Sequence, residues 1–187
     1  MNIIVAVTGA SGSLYAKLLF EELYRLRVSG QVDQVGAVFS EKAKEVWEYE
    51  LGEFPKDFPH NVYDNDDFNA PFASGSALFD AMIVCPCSMG TMGRIANGIS
   101  DSLIARAADV ILKERRRLIL AIRETPIHLI HINNMQTLAQ AGAIIAPAAP
   151  SFYSHPKSIE ELAMTVVDRL LQLAELRKES FRWRIEN

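Results

Sequence analysis

Five short apolar runs, residues 3–7, 35–39, 82–85, 118–122 and 143–146, are each set apart by turn residues and by segments of helical spacing. Runs with no polar alternation are what strands look like when both faces of their sheet are covered. Helices between them supply the cover, so the pattern predicts a parallel sheet in an α/β chain. A weaker extended signal at Val62 and Tyr63 adds an edge strand. Right-handed crossovers then favour a three-layer, Rossmann-like, doubly wound sheet of about six strands in the order 3-2-1-4-5-6. Helices are predicted over 13–26, 41–51, 102–114, 127–140 and 159–176, the last opened by Ser158 with Glu161 in a capping box.

In such a sheet ligands bind beyond the carboxyl ends of the strands, where the strand order reverses. Two loops meet that description. The first is Thr8-Gly9-Ala10-Ser11-Gly12, a tight turn before a helix. It lacks both the three-glycine dinucleotide pattern and the lysine of a nucleotide-triphosphate loop, and it reads as a phosphate cradle or as a plain turn. The second follows residue 85, where Pro86 is expected to end the strand because it cannot donate to a ladder. Ser88, Met89, Gly90 and Thr91 come next, small and rich in donors, ahead of a helix. Ser40 sits at the end of the second run, as a ligand contact or a simple N-cap.

Charged residues at the ends of apolar elements are the other signal. Arg106 and Lys113 interrupt an otherwise core-like helix, two turns apart. Arg123 and Glu124 stand at the end of a buried strand, either as an internal ion pair or as groups that face a ligand. Residues 53–76 form the longest irregular stretch, of a length that is often functional or mobile.

Composition removes several classes. The net charge of −4 gives no general affinity for nucleic acid, so an anionic ligand needs a local basic site. No apolar run reaches the ~20 residues of a membrane span. Cys85 and Cys87 flank one proline and read as buried thiols rather than a disulfide framework or a zinc site. His60, His128, His131 and His155 make no metal-binding pattern, and no metal is expected. At 187 residues the chain suits one domain with a sizeable core. Met1 leads straight into a strand, which predicts a cytoplasmic protein without a signal peptide.

The pieces CPCSMGT (85–91), RAADVILKERR (106–116) and RETP (123–126), with GASG (9–12) and PSFYSHP (150–156), resemble the UbiX family of flavin prenyltransferases, in the same order over nearly the whole chain. The resemblance implies a flavoprotein fold and transfer of a dimethylallyl group from dimethylallyl phosphate to reduced flavin mononucleotide (FMN). The product would serve a UbiD-type decarboxylase. It places Gly9, Ala10, Ser11, Ser40, Ser88, Met89, Gly90, Thr91 and Arg123 around FMN. It places Arg106, Lys113, Tyr153, Arg169 and Trp183 around the prenyl phosphate, several of them from neighbouring subunits, and gives Ser11, Glu50 and Glu124 catalytic roles. It also implies a homo-oligomer, a dodecamer, with residues 177–187 as a tail that contributes to the site or the assembly. Ser102, Asn133 and Gly90 depart from residues common in the family and touch none of the catalytic positions. Two other readings stand beside it: an FMN-binding accessory subunit of an aromatic-acid decarboxylase, and a flavin-dependent cysteine-type decarboxylase, whose PxMNxxMW-like segment is absent here.

Overall fold

A computed structural model describes residues 1–176. Six parallel strands form one sheet in the order β3-β2-β1-β4-β5-β6, as the alternation of apolar runs predicts. They are β1 (Asn2–Val7), β2 (Gln34–Phe39), β3 (Asn61–Tyr63), β4 (Ala81–Cys87), β5 (Arg117–Ile122) and β6 (Ile144–Pro147). The central strands are apolar at nearly every position because both faces are packed. The helices α1 (Ser13–Val28), α2 (Glu41–Leu51) and α6 (Ile159–Leu173) cover one face. The other is covered by α3 (Met89–Ala96), α4 (Leu103–Lys113) and α5 (Leu129–Gln140). Ser40, Ser88, Ser102 and Ser158 cap α2, α3, α4 and α6, each side chain accepting from the backbone N–H three residues on.

β4 does not stop before its proline. It runs through Pro86 to Cys87, with a register shift against β5 between Val84 and Cys87. Its ladder with β1 ends at Val84, and a side chain carries the connection further. The Thr8 hydroxyl donates to the Pro86 carbonyl at 2.8 Å and accepts from the Ser88 N–H at 2.8 Å. The Thr8 N–H reaches the same carbonyl at 3.2 Å. A buried threonine thus gives the Pro86 carbonyl and the Ser88 N–H their partners beyond the end of the ladder, and it fixes the two candidate loops side by side.

The stretch 53–76 turns out to be packed, not loose. Phe54 and Phe58 meet Phe39 edge-on with centroids 4.9 and 5.5 Å away, and Phe58 meets Phe20 at 4.7 Å. Phe72, in a short 3-10 turn (Pro71–Ala73), is buried against Tyr63 and Phe79. Large aromatic rings bury enough apolar area to hold an irregular segment on the sheet without a ladder of its own.

The Thr8→Val variant keeps the shape but removes both hydroxyl bonds and leaves the Ser88 N–H unpaired. It is expected to fold and to lose about 1–3 kcal/mol of stability, read as a lower urea midpoint with an unchanged slope.

Candidate functional site

The carboxyl ends of β1, β2, β4 and β5 form a crest on which the starts of α1, α2 and α3 converge. Three helix N-termini on one edge make an anion-binding surface, since each presents unpaired N–H groups and the positive end of a dipole. One of the three is already taken. The N-cap of α1 is Gly12, at φ +121°, and its own side makes no capping bond. Glu50, from the last turn of α2, fills that role: its carboxylate accepts from the Gly12 N–H at 3.0 Å and the Ser13 N–H at 2.7 Å. Burial pushes the Glu50 carboxyl up, but the Ser11 hydroxyl and the Ser13 and Gly12 N–H groups outweigh it. The net value lies below the ordinary 4.5. Ser11 is therefore a partner of Glu50 and not the helix cap.

Beside this pair lies a cavity of about 280 Å³, lined by Ser11, Tyr15, Glu50 and Arg123 together with apolar residues of α1 and α6. Tyr15 carries no motif, and sequence reasoning passes over it. Its only signal is a position one turn beyond Ser11 on the helix that leaves the loop. Burial raises the phenol, the nearby Cys85 thiol adds to this, Arg123 opposes it and Glu50 adds again, so Tyr15 stays protonated. A side chain on Gly12 would strike its ring, since a Cβ there would lie 2.8 Å from Cδ2. Glycine at 12 thus serves both the backbone turn and the ring that lines the cavity.

The remaining crest residues cluster next to the cavity. At Gly9 a Cβ would lie 2.5 Å from the Cβ of Lys42, so the absence of a side chain is what lets the first loop sit against the start of α2. Gly9 and Ala10 belong to that loop, and Ser40 is the N-cap of α2. On the β4 side the Ser88 hydroxyl accepts from the Thr91 N–H at 3.3 Å and stands 3.1 Å from the Thr91 hydroxyl. The Gly90 position is exposed, whereas the Met89 side chain is buried in the core, leaving only its backbone to face a ligand. With Glu50 neutralising the start of α1, the dipoles open to a further anion are those of α2 and α3. A flavin phosphate fits that donor set: serine hydroxyls, helix N–H groups and small residues that let the backbone come close.

Arg123 and Glu124 do not form a buried pair. Both are exposed, and the Glu124 carboxylate accepts from the Thr125 N–H at 2.9 Å. The strand that delivers them is buried, but the chain has already left the sheet. Arg123 lines the cavity, with Glu124 one residue beyond.

The cationic residues are not gathered in one chain. Arg106 bonds to the Ala73 carbonyl at 2.9 Å and pairs with Asp109 at 2.9 Å, on the sheet face opposite the cavity. Lys113 ends α4 ahead of β5, whereas Arg123 follows that strand. A six-residue strand spans ~20 Å, so Lys113 stands near the opposite edge of the sheet. Arg169 lines a second cavity of about 490 Å³, between α6 and β6, with Ser151, Thr165 and Asp168. Tyr153 is exposed in the loop before α6. Trp183 lies outside the described residues. Cys85 and Cys87 are buried beneath the crest, where burial raises both thiols, that of Cys87 to about 12. They stay protonated and are poor nucleophiles. Among the described residues no group of three His, Cys, Asp or Glu side chains is placed to hold a metal, and no helix is long and apolar enough to cross a membrane.

The profile of the flavoprotein family matches residues 1–173. The flavin prenyltransferase UbiX of Thermoplasma acidophilum is 46% identical over 176 residues, 92% of this chain and 94% of that protein. Among solved structures, AnUbiX (PadA1) in complex with FMN and dimethylallyl pyrophosphate matches with a TM-score of 0.87 at 39% identity, with 98% of each chain covered. A dodecameric FMN-dependent UbiX-like decarboxylase from Escherichia coli O157:H7 matches at 0.90 and 37% identity, covering 98% of this chain and 100% of that one. The peptidyl-cysteine decarboxylase EpiD shares the fold alone, at 17% identity and a TM-score of 0.58.

A carboxylate whose folded-state value is depressed stabilises the protein above its unfolded value and ceases to do so as pH falls through the folded one. Glu50→Gln should therefore unfold at lower urea than the parent at pH 7. The gap should narrow as pH drops below the ordinary 4.5 of this carboxyl. Urea melts of both proteins at pH 7 and pH 3.5 check this; a gap independent of pH would remove the charged cap.

Proposed function

The chain belongs to the flavoprotein family and, within it, to the UbiX flavin prenyltransferases, and on that premise we propose how its own residues carry the reaction. The protein binds FMN and joins a dimethylallyl group to the reduced flavin. The observation that carries the residue assignment is the convergence of Ser11, Glu50 and Arg123 on one cavity at the point where the strand order reverses.

In this reading Gly9, Ala10, Ser40, Ser88, Gly90 and Thr91, with the Met89 backbone, hold the FMN phosphate at the starts of α2 and α3. Arg123 holds the flavin at the cavity. When bound, reduced FMN supplies the N5 and C6 edge at which the new ring closes. The chain's task is to part the dimethylallyl group from its phosphate, which leaves with the electron pair of the broken C–O bond. Cations and a phenol aimed at that phosphate lower the barrier most, because charge builds there as the bond breaks. Arg106, Lys113, Arg169 and Tyr153 have the right chemistry. Glu124, next to Arg123, passes a proton to the departing phosphate. Glu50, held as a carboxylate by Ser11 and two backbone N–H groups, is the anion that faces the developing allyl cation.

The placement of Arg106 and Lys113 away from the cavity supports a site completed by a second copy, in a homo-oligomer of the dodecameric kind. The chain acts as a single flavoprotein domain, with residues 177–187, Trp183 among them, contributing to the site or the assembly. Its product serves a UbiD-type decarboxylase in the cytoplasm.

Incubation with reduced FMN and dimethylallyl phosphate should yield a flavin heavier by one five-carbon unit; unaltered flavin at full FMN occupancy would overturn the prenyltransferase reading in favour of the accessory-subunit or cysteine-type decarboxylase readings. Glu124→Gln, exposed and nearly isosteric, should keep its fold and bound FMN while single-turnover prenylation falls by ~10²-fold or more. Unchanged turnover per bound flavin would take Glu124 out of the mechanism. Co-expression of Lys113→Ala and Glu50→Gln chains should give mixed assemblies more active than either parent variant, because some sites then combine an intact Glu50 with an intact Lys113. Activity no higher than that of the separate variants would place both residues in one chain's site.

A further inference from the structure

Tyr15 lines the cavity but takes no part in the steps assigned to Glu50, Glu124 and Arg123. Its place within the cavity points to a different task. Ser11, Glu50, Arg123 and Ile159 are exposed and mark the mouth. Leu14, Tyr15, Ala148 and Ala163 belong to the core of that sheet face or pack against it, and they close the inner end. Tyr15 is the largest of the four and the only aromatic residue around the cavity. Behind it lies the buried end of β4, with the Cys85 thiol near enough to raise its phenol. The ring is the floor of the cavity.

This floor cannot give way. A Cβ on Gly12 would lie 2.8 Å from Cδ2 of the ring and 3.1 Å from Cε2, so the backbone already presses on one side of it. The Tyr15 N–H donates to the Gly12 carbonyl at 3.0 Å, which ties the residue to that turn. On the other side is a close-packed core, which yields little to an inserted group. The space in front of the ring is small as well. At about 280 Å³ the cavity falls below the ~300–1,000 Å³ of pockets that take drug-sized ligands. Apart from the phenol hydroxyl the inner end has no polar side chain, so it suits a hydrocarbon and can choose between hydrocarbons only by size.

We propose that Tyr15 is the specificity-determining residue that sets the length of the allyl donor. The donor's phosphate stays at the mouth, among the charged groups, and its tail points inward. A five-carbon tail ends at the ring, and a ten-carbon tail runs into it. With either donor the allylic C–O bond breaks, its electron pair leaves with the phosphate, and the allyl carbon replaces one proton of the reduced flavin. The donors differ only beyond the reacting carbon. The inference rests on the prenyltransferase reading above and adds to it the residue that selects among donors.

The test is calorimetric titration of the full chain, loaded with oxidised FMN so that no prenyl transfer occurs. The titrants are dimethylallyl phosphate and its ten-carbon homologue, geranyl phosphate. The parent should bind the shorter donor ~10²-fold or more tightly than the longer, and Tyr15→Ala should narrow that ratio by ~10-fold or more. Tyr15→Leu gives the same readout should the first variant not fold. Tyr15→Phe keeps the ring and should keep the parent ratio. With reduced FMN and geranyl phosphate, Tyr15→Ala should form a flavin heavier by one ten-carbon unit, which the parent does not form. A parent that binds both donors equally, or Tyr15→Ala and Tyr15→Leu with the parent ratio, overturns Tyr15 as the length limit and leaves the prenyltransferase reading intact. A Tyr15→Phe protein as relaxed as Tyr15→Ala also overturns it, because the hydroxyl and not the ring would then select. A parent that binds neither donor and leaves reduced flavin unaltered overturns both.

Discussion

The geometry of the crest depends on how β1 and β4 are joined where proline breaks their ladder. A strand that continues through Pro86 loses a donor, and the ladder between β1 and β4 ends at Val84. Thr8 joins the two strands beyond that point, with its own N–H and a hydroxyl that donates to one residue of β4 and accepts from another just beyond it. Because that hydroxyl is buried, its bonds are not exchanged with water, and the two loops hold a fixed separation. The position of Ser88, and with it the start of α3, follows from this contact.

The second organising choice is which helix dipole is left open. A crest with three helix N-termini could bind anions almost anywhere. Glu50 closes one of them from the far end of α2, and its own charge is kept by the groups it caps. This divides the crest into a side for a phosphate and a side where a fixed carboxylate and a protonated phenol meet a cavity. Carbocation chemistry needs that division, because an anion that would stabilise the cation must not compete with the leaving phosphate for the same donors. In the proposed mechanism the cations for the leaving phosphate lie elsewhere in the chain, two of them on the opposite face of the sheet. On that proposal assembly is a condition of the chemistry rather than an addition to it.

Strand order, layer composition and the serine caps were legible in the sequence, because apolar runs, helical spacing and small polar residues before helices act over a few residues at a time. The same local rules put Ser11, Ser40, Ser88 and Arg123 at the crest. Tertiary contact alone decided the rest. The strand that continues past Pro86 depends on a threonine 78 positions away. The cap of α1 depends on a glutamate 37 positions on from Ser13. Tyr15 faces the site only because Gly12 leaves room for its ring. The strand ends at Ile122, where the apolar run ends, and only the path of the chain beyond it decides that Arg123 and Glu124 are exposed instead of paired in the interior. A sequence states what each residue can do with its neighbours along the chain; which distant group meets it is set by packing, where a single hydrogen-bond partner or the absence of one Cβ changes the answer.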